Sequence, residues 1–216
     1  MRQAAAILSG GASSRMGQDK ALLKLEGDAR PLLARVIERV APLVDEIFIV
    51  SPDREEYRQF GVPIVADRFP GEGPLGGIAT ALEATTCDRC LIVACDMPFL
   101  NPALLRWMLE RRDRAEVAVP VTPGESRQGR SDVAHVAHAL YDVSALPAIE
   151  RAIARGERQA ARLLAAVRAT PIEVEESSRF DPGLRSLFSV NTPADLAQAS
   201  RWLQAESGVS KGDTIY

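Results

Sequence analysis

The chain has 216 residues, 46% of them apolar and 25% charged, and carries a net charge of −3. That length suits one domain with a substantial core, and the dispersed charge, lacking any basic block, gives no footprint for nucleic acid. No apolar run reaches bilayer length and none has the form of a signal peptide, so a cytoplasmic protein without membrane contact is expected.

Residues 4–8 form an apolar strand that empties into Leu8-Ser9-Gly10-Gly11-Ala12-Ser13-Ser14-Arg15-Met16-Gly17-Gln18-Asp19-Lys20. Glycines, hydroxyls and cations crowded after a strand place bare amides and positive side chains at one sheet edge, a setting for a polyphosphate. The loop fits neither common phosphate-loop pattern, because Lys20 follows no glycine and Gly10 and Gly11 are adjacent. Residues 31–44 carry apolar side chains at helical spacing. Residues 46–50 form a strand closed by Ser51-Pro52-Asp53, and residues 62–66 another. Asp67 opens a glycine-dense rim running to Gly76 and Gly77, where backbone can approach a flat ring closely. Its carboxylate can accept from adjacent N–H donors of guanine, which adenine lacks, so Asp67 is a candidate base reader; a solvated turn is the alternative.

A helix follows over 74–84, a strand over 89–95 and a helix over 102–112, with Asn101 its expected cap. Asp96, at the tip of that strand and followed by Met97-Pro98, suits a hard cation such as Mg²⁺, which takes carboxylate and phosphate oxygens. Cys87, Cys90 and Cys95 form no disulfide framework, and Cys87 and Cys90 lack a second ligand pair for zinc. Beyond a strand over 116–121, residues 122–130 read as a mobile loop and 133–141 as an antiparallel strand. His135 and His138, three apart, would not share a strand face. Two short helices over 145–155 and 159–167 lead to an edge strand over 171–175. A helix over 193–203 is capped by Asn191-Thr192, and residues 207–216 read as a flexible tail.

The alternation of strands and helices gives an α/β fold: a three-layer α/β/α Rossmann-like, doubly wound, mainly parallel sheet in a single domain over 1–206. The loop Gly10–Lys20 and the segments at Ser51, Asp67 and Asp96 all fall at carboxyl ends of strands, where such sheets bind ligands.

These segments, with Val190-Asn191-Thr192-Pro193-Ala194-Asp195-Leu196, resemble the molybdenum cofactor guanylyltransferase family of the nucleotide-diphospho-sugar transferase superfamily. The likeness runs from about Gln3 to Leu203. It implies transfer of GMP from GTP to the terminal phosphate of molybdopterin carrying molybdenum, with release of pyrophosphate and Mg²⁺ as cofactor. By the same resemblance, Leu8, Ser9, Gly10, Gly11, Ser51, Asp67 and Gly76 line the nucleotide. Lys20 meets its phosphates, Asp96 holds Mg²⁺, and Arg15, Gly17, Ser189 and Asn191 face the acceptor. Lys20, Arg15 and Asp96 then form the catalytic set, neutralising charge while two polyanions align in line. The N-terminal half would bind nucleotide and the C-terminal half acceptor, and the product could pass to molybdoenzymes or cofactor-delivery proteins. The chain departs from the family at Ser51, where some members have asparagine, at Ser189, where Asn-x-Asn is common, and near Val136, where proline is common. A cytidylyltransferase, a relative using a phosphosugar or phospholactate acceptor, or a non-catalytic nucleotide-binding adaptor are the alternatives.

Overall fold

A computed structural model describes residues 2–10, 19–52, 55–111, 115–126 and 129–209. Its first strand, β1 (Gln3–Leu8), runs between β2 (Glu46–Ser51) and β4 (Arg89–Ala94), parallel to both. Beyond β2 lies β3 (Ile64–Ala66), also parallel; it starts later than the sequence suggests. With β5 (Val117–Ser126), β6 (Gly129–Ala134) and β7 (His138–Asp142), the sheet order β3-β2-β1-β4-β7-β5-β6 reverses direction of travel between β1 and β4, which is the topological switch point of a doubly wound sheet.

Three adjacent alanines, Ala4, Ala5 and Ala6, occupy the centre of β1 and are fully buried. Alternation sends Ala4 and Ala6 to one face of the sheet with Phe48 and Ile92, and Ala5 and Ile7 to the other with Ile49 and Leu91. The first face is covered by α2 (Gly73–Ala84) and α4 (Leu146–Ala154), the second by α1 (Leu32–Val40) and α3 (Pro102–Glu110). The result is the three-layer arrangement expected. Asn101 caps α3 as its sequence suggests, its side chain accepting from the amides of Ala103 (2.9 Å) and Leu104 (3.2 Å).

The second half differs from expectation in three places. Where a loop is expected over 122–130, residues 122–126 and 129–130 are paired: β5 (Val117–Ser126) and β6 (Gly129–Ala134) run antiparallel from Val121↔Ala134 to Ser126↔Gly129. The strand expected over 133–141 is broken by a turn, with β6 ending at Ala134 and β7 (His138–Asp142) pairing antiparallel with β4. The edge strand lies earlier than 171–175, as β8 (Ala169–Ile172), parallel to β5. At Glu173 the chain turns into the short helix α6 (Val174–Ser177), where the Glu176 carboxylate accepts from the Glu173 amide at 3.2 Å. Between α4 and β8 sits the single-turn helix α5 (Ala160–Leu163).

Helix α7 (Pro193–Val209) runs past the expected end and takes in residues 207–209 of the supposed tail. It is locked at its start by a reciprocal cap: Asp195 N donates to Thr192 Oγ1 (3.2 Å), and Asp195 Oδ2 accepts from Thr192 N (2.8 Å). Phe99, Leu25, Leu32, Val190 and Ala199 form a third apolar cluster, with Phe99 and Phe188 meeting the Trp202 ring edge-on. That cluster holds α7 beside the carboxyl end of β4. Among the described residues no helix is long and apolar enough to cross a membrane.

Candidate active site

A cavity of about 530 Å³ opens at the switch point, over the carboxyl ends of β1, β2 and β4. Leu8, Ser9 and Gly10 form one wall as the chain leaves β1, Cys95 and Asp96 the floor as it leaves β4, and Asp67 and Gly77 the opposite rim. Each arrives by the same route: a buried strand ends, its ladder hydrogen bonds stop, and the next residue turns into the crevice. Ser9 is still tied to the sheet through its amide to Val50 O at 2.9 Å, and Cys95 through its amide to Leu8 O at 3.0 Å.

Lys20 enters from a single 3₁₀ turn, residues 20–22, capped by Asp19, whose Oδ1 accepts from Ala21 N at 3.1 Å. The ammonium of Lys20 donates to Asp96 Oδ2 at 3.2 Å and to Asn191 Oδ1 at 2.7 Å. Asn191 belongs to the segment before α7, which is joined to the β4 end by Val190 N donating to Asp96 O at 2.9 Å. Burial raises the Asp96 pKa, and this outweighs the opposing pull of Lys20 and Ser189. A carboxylate so placed is under-compensated, and further positive charge in the cavity would relieve it.

Among the described residues no three His, Cys, Asp or Glu side chains converge on a metal position. Asp96 alone supplies a hard oxygen at the floor. Such a donor set fits Mg²⁺ held by one carboxylate, the remaining ligands coming from water and substrate phosphates.

Asp67 stands at the rim, its Oδ1 accepting from Phe69 N (3.0 Å) and lying 3.1 Å from the Thr80 hydroxyl. Its Oδ2 has no hydrogen bond among the described residues, and Asp67 lines the cavity, so this oxygen is available to a ligand. Gly76 is not brought to the cavity. A side chain there would meet Phe69 O at 2.5 Å, so its bareness accommodates the 67–72 turn rather than a ligand ring; its neighbour Gly77 lines the cavity, against Leu8. Ser51 is fully buried behind Val50, its hydroxyl without a partner among the described residues, and does not line the cavity. Gly11, Arg15 and Gly17 lie outside the described residues. Lys20, Asp96 and Asn191 are brought together, with Ser189 O accepting from Asn191 Nδ2 at 3.3 Å; Ser9, Gly10 and Asp67 line the cavity with Lys20 and Asp96.

Sequence reasoning assigned no role to Tyr57, which is 1% exposed beneath the cavity wall. Its hydroxyl donates to Asp19 Oδ2 and bonds Ser9 Oγ, both at 2.7 Å. Only the lone aromatic inside the polar run Glu55-Glu56-Tyr57-Arg58-Gln59 could have signalled it. The histidines are bonded elsewhere: His135 Nε2 meets Thr122 Oγ1 at 2.9 Å, and His138 Nε2 meets Ser186 Oγ at 2.7 Å in full burial. Cys87 and Cys90 are buried thiols and Cys95 is likewise free.

Residues 5–172 match the family model described as the MobA-like NTP transferase domain. The chain belongs to the MobA-like NTP transferase family. Membership makes it a nucleotidyltransferase, in keeping with a crevice that gathers a cation and a buried carboxylate at the switch point. It is 36% identical over 197 residues to the probable molybdenum cofactor guanylyltransferase of Pelotomaculum thermopropionicum, covering 89% of each chain. It is 32% identical over 207 residues to a protein of the same description from Chloroflexus aggregans, covering 94% of this chain and 96% of that one. Among solved structures it is similar to the molybdopterin-guanine dinucleotide biosynthesis protein A of Archaeoglobus fulgidus. The TM-score is 0.77 at 26% identity, over 94% of this chain and 99% of the other.

Proposed function

We propose that this enzyme transfers GMP from GTP to the terminal phosphate of molybdopterin carrying molybdenum and releases pyrophosphate. The observation that carries the reading is the Lys20 junction, where one ammonium contacts both Asp96 of the β4 end and Asn191 of the segment before α7. One side of that junction opens into the nucleotide cavity. The other belongs to the C-terminal part of the chain, which would present the acceptor. The names of the curated relatives support the donor and acceptor chosen.

The nucleophile is an acceptor phosphate that is already anionic, so no residue need remove a proton. The task left to the protein is to hold two polyanions in line and to offset their repulsion. Lys20 would turn from Asp96 toward the α-phosphoryl oxygens, exchanging one carboxylate for a more highly charged partner. Asn191 would keep its ammonium directed as it does so. Asp96 would hold Mg²⁺, which when bound supplies further neutralisation of the phosphates. Ser9 and Gly10 would line the nucleotide, and Asp67 Oδ2 would accept from the guanine edge. Arg15, Gly17 and Ser189 would serve the acceptor. The reaction would run in the cytoplasm and deliver its product to a molybdoenzyme or a carrier protein.

The test is incubation of the protein with molybdopterin carrying molybdenum, Mg²⁺ and each of the four nucleoside triphosphates, following pyrophosphate. Release with GTP alone supports the reading. Preference for CTP, activity only with a phosphosugar or phospholactate acceptor, or bound GTP without pyrophosphate release would each overturn it.

A further inference from the structure

Three hydrogen-bonding groups line up beneath the cavity wall: Ser9 just after β1, Tyr57 in a 3₁₀ helix between β2 and β3, and Asp19 just before Lys20. We infer that Tyr57 is a positioning residue whose hydroxyl clasps Ser9 to Asp19 and thereby sets Lys20 for the transfer, an inference that rests on the proposed role of Lys20 at the phosphates.

The direction of the hydrogen bonds is fixed by proton count. A phenol has one proton, and Tyr57 gives it to Asp19 Oδ2 at 2.7 Å. The 2.7 Å contact to Ser9 must then be donated by the serine. Burial, reinforced by the Asp19 carboxylate, raises the Tyr57 pKa, so the phenol keeps the proton this chain requires. Hydroxyl, phenol and carboxylate thus form a one-way series ending on Asp19.

Asp19 spends its other oxygen on capping the turn that carries Lys20. Both carboxylate oxygens are therefore committed, one to the turn and one to Tyr57. The ring of Tyr57 is anchored in the apolar cluster formed by Ile49, Ala21 and Val36. A rigid core element so reaches the cap of the Lys20 turn, whereas the lysine side chain by itself is long and rotamer-rich. None of this requires Tyr57 to touch substrate.

The test uses Tyr57→Phe, which removes the hydroxyl and keeps the ring, and Asp19→Asn, which keeps a capping oxygen but loses the charge. Lys20 is labelled with pyridoxal phosphate and borohydride, and its modification rate is read by peptide mass spectrometry. Expected are a change in Lys20 labelling of about threefold or more in both variants and a fall in kcat of about 10- to 100-fold, with the KM for GTP much less affected. Circular dichroism and melting temperature establish that the variants are folded, and Asp19→Asn answers the question should Tyr57→Phe fail to fold. Unchanged labelling with unchanged kcat in a folded variant overturns the inference. Lys20→Ala, run alongside, tests the underlying reading separately: full turnover there would remove Lys20 from the reaction without altering the labelling result.

Discussion

Lys20 Nζ donates to Asn191 Oδ1 at 2.7 Å, joining residues 171 positions apart in the chain. The same nitrogen lies 3.2 Å from Asp96 Oδ2. One cation therefore sits where the ends of β1 and β4 and the approach to α7 meet. The neighbouring main-chain bond from Val190 to Asp96 O fixes two of those segments without involving the lysine. Lys20 is consequently placed by the fold but is not needed to hold it.

That separation of roles makes Lys20→Ala a clean probe. Turnover should fall by about 10²- to 10³-fold, the cost of removing one preorganised charge at reacting phosphoryl groups. The melting temperature should stay within a few degrees, because the ion pair is partly exposed and such pairs contribute little (roughly 0–1 kcal/mol). Pyrophosphate release measures the first quantity and calorimetry the second. A variant with near-native turnover would disconnect Lys20 from the chemistry.

Asp96 should show the opposite balance. Its carboxyl titrates above the ordinary aspartate range because burial outweighs the help of Lys20. A folded-state pKa raised in an acid means that ionisation at neutral pH opposes folding. Asp96→Asn should therefore lose activity while its melting temperature at pH 7 holds or rises. On the acid side, wild-type activity should begin to fall at a higher pH than an exposed aspartate would dictate. A loss of activity accompanied by a lowered melting temperature at pH 7 would contradict this account.

The regions most legible in the sequence were those where a buried strand meets a glycine- or charge-bearing turn. The runs ending at Leu8 and Ala94 are apolar enough to require a central place in the sheet, and their carboxyl ends locate Ser9, Gly10 and Asp96 in one crevice. The hairpin of β5 and β6 was illegible because Pro120 and Pro123 interrupt any strand pattern, and the glycine, serine and charges that follow look like a loop. Pairing with β6 and β8 overrides that local preference. Gly76 misled for another reason: a bare backbone is equally useful against a ligand or against the chain itself, and here Phe69 O occupies the space. Tyr57 left no periodic or spacing signal, since its role depends on a contact with Asp19 that only the tertiary structure creates.

His138 should govern part of the acid stability. It is fully buried, and burial depresses its pKa from 6.5 to about 4. The neutral ring is bonded to Ser186 through Nε2. Because the folded-state value is the lower one, the associated stability is complete above about pH 6.5 and disappears as pH falls toward 4; a shift of that size corresponds to about 3 kcal/mol. Urea midpoints taken across that range should fall steeply for the native protein and more gently for His138→Gln, whose amide oxygen can still accept from Ser186. Parallel curves for the two proteins would remove His138 as the source.

Gly76 and Gly10 should separate folding from binding. A Cβ at Gly76 would stand 2.5 Å from Phe69 O, too close for either to remain in place, and backbone cannot move aside as a flexible side chain can. Gly76→Ala should cost about 1–3 kcal/mol, the usual toll of overpacking, and displace the turn that carries Asp67. GTP should bind more weakly as a result. At Gly10 nothing among the described residues lies within 4 Å of the same atom, so Gly10→Ala should leave the unfolding midpoint almost unchanged. Gly10 nonetheless lines the cavity, and a methyl there occupies space the nucleotide would use. Its expected signature is a raised KM for GTP on an unaltered fold, whereas Gly76→Ala should alter both. Denaturant titration paired with GTP binding by calorimetry distinguishes the two patterns, and a Gly10→Ala variant that binds GTP as the native protein does would place the nucleotide away from this wall.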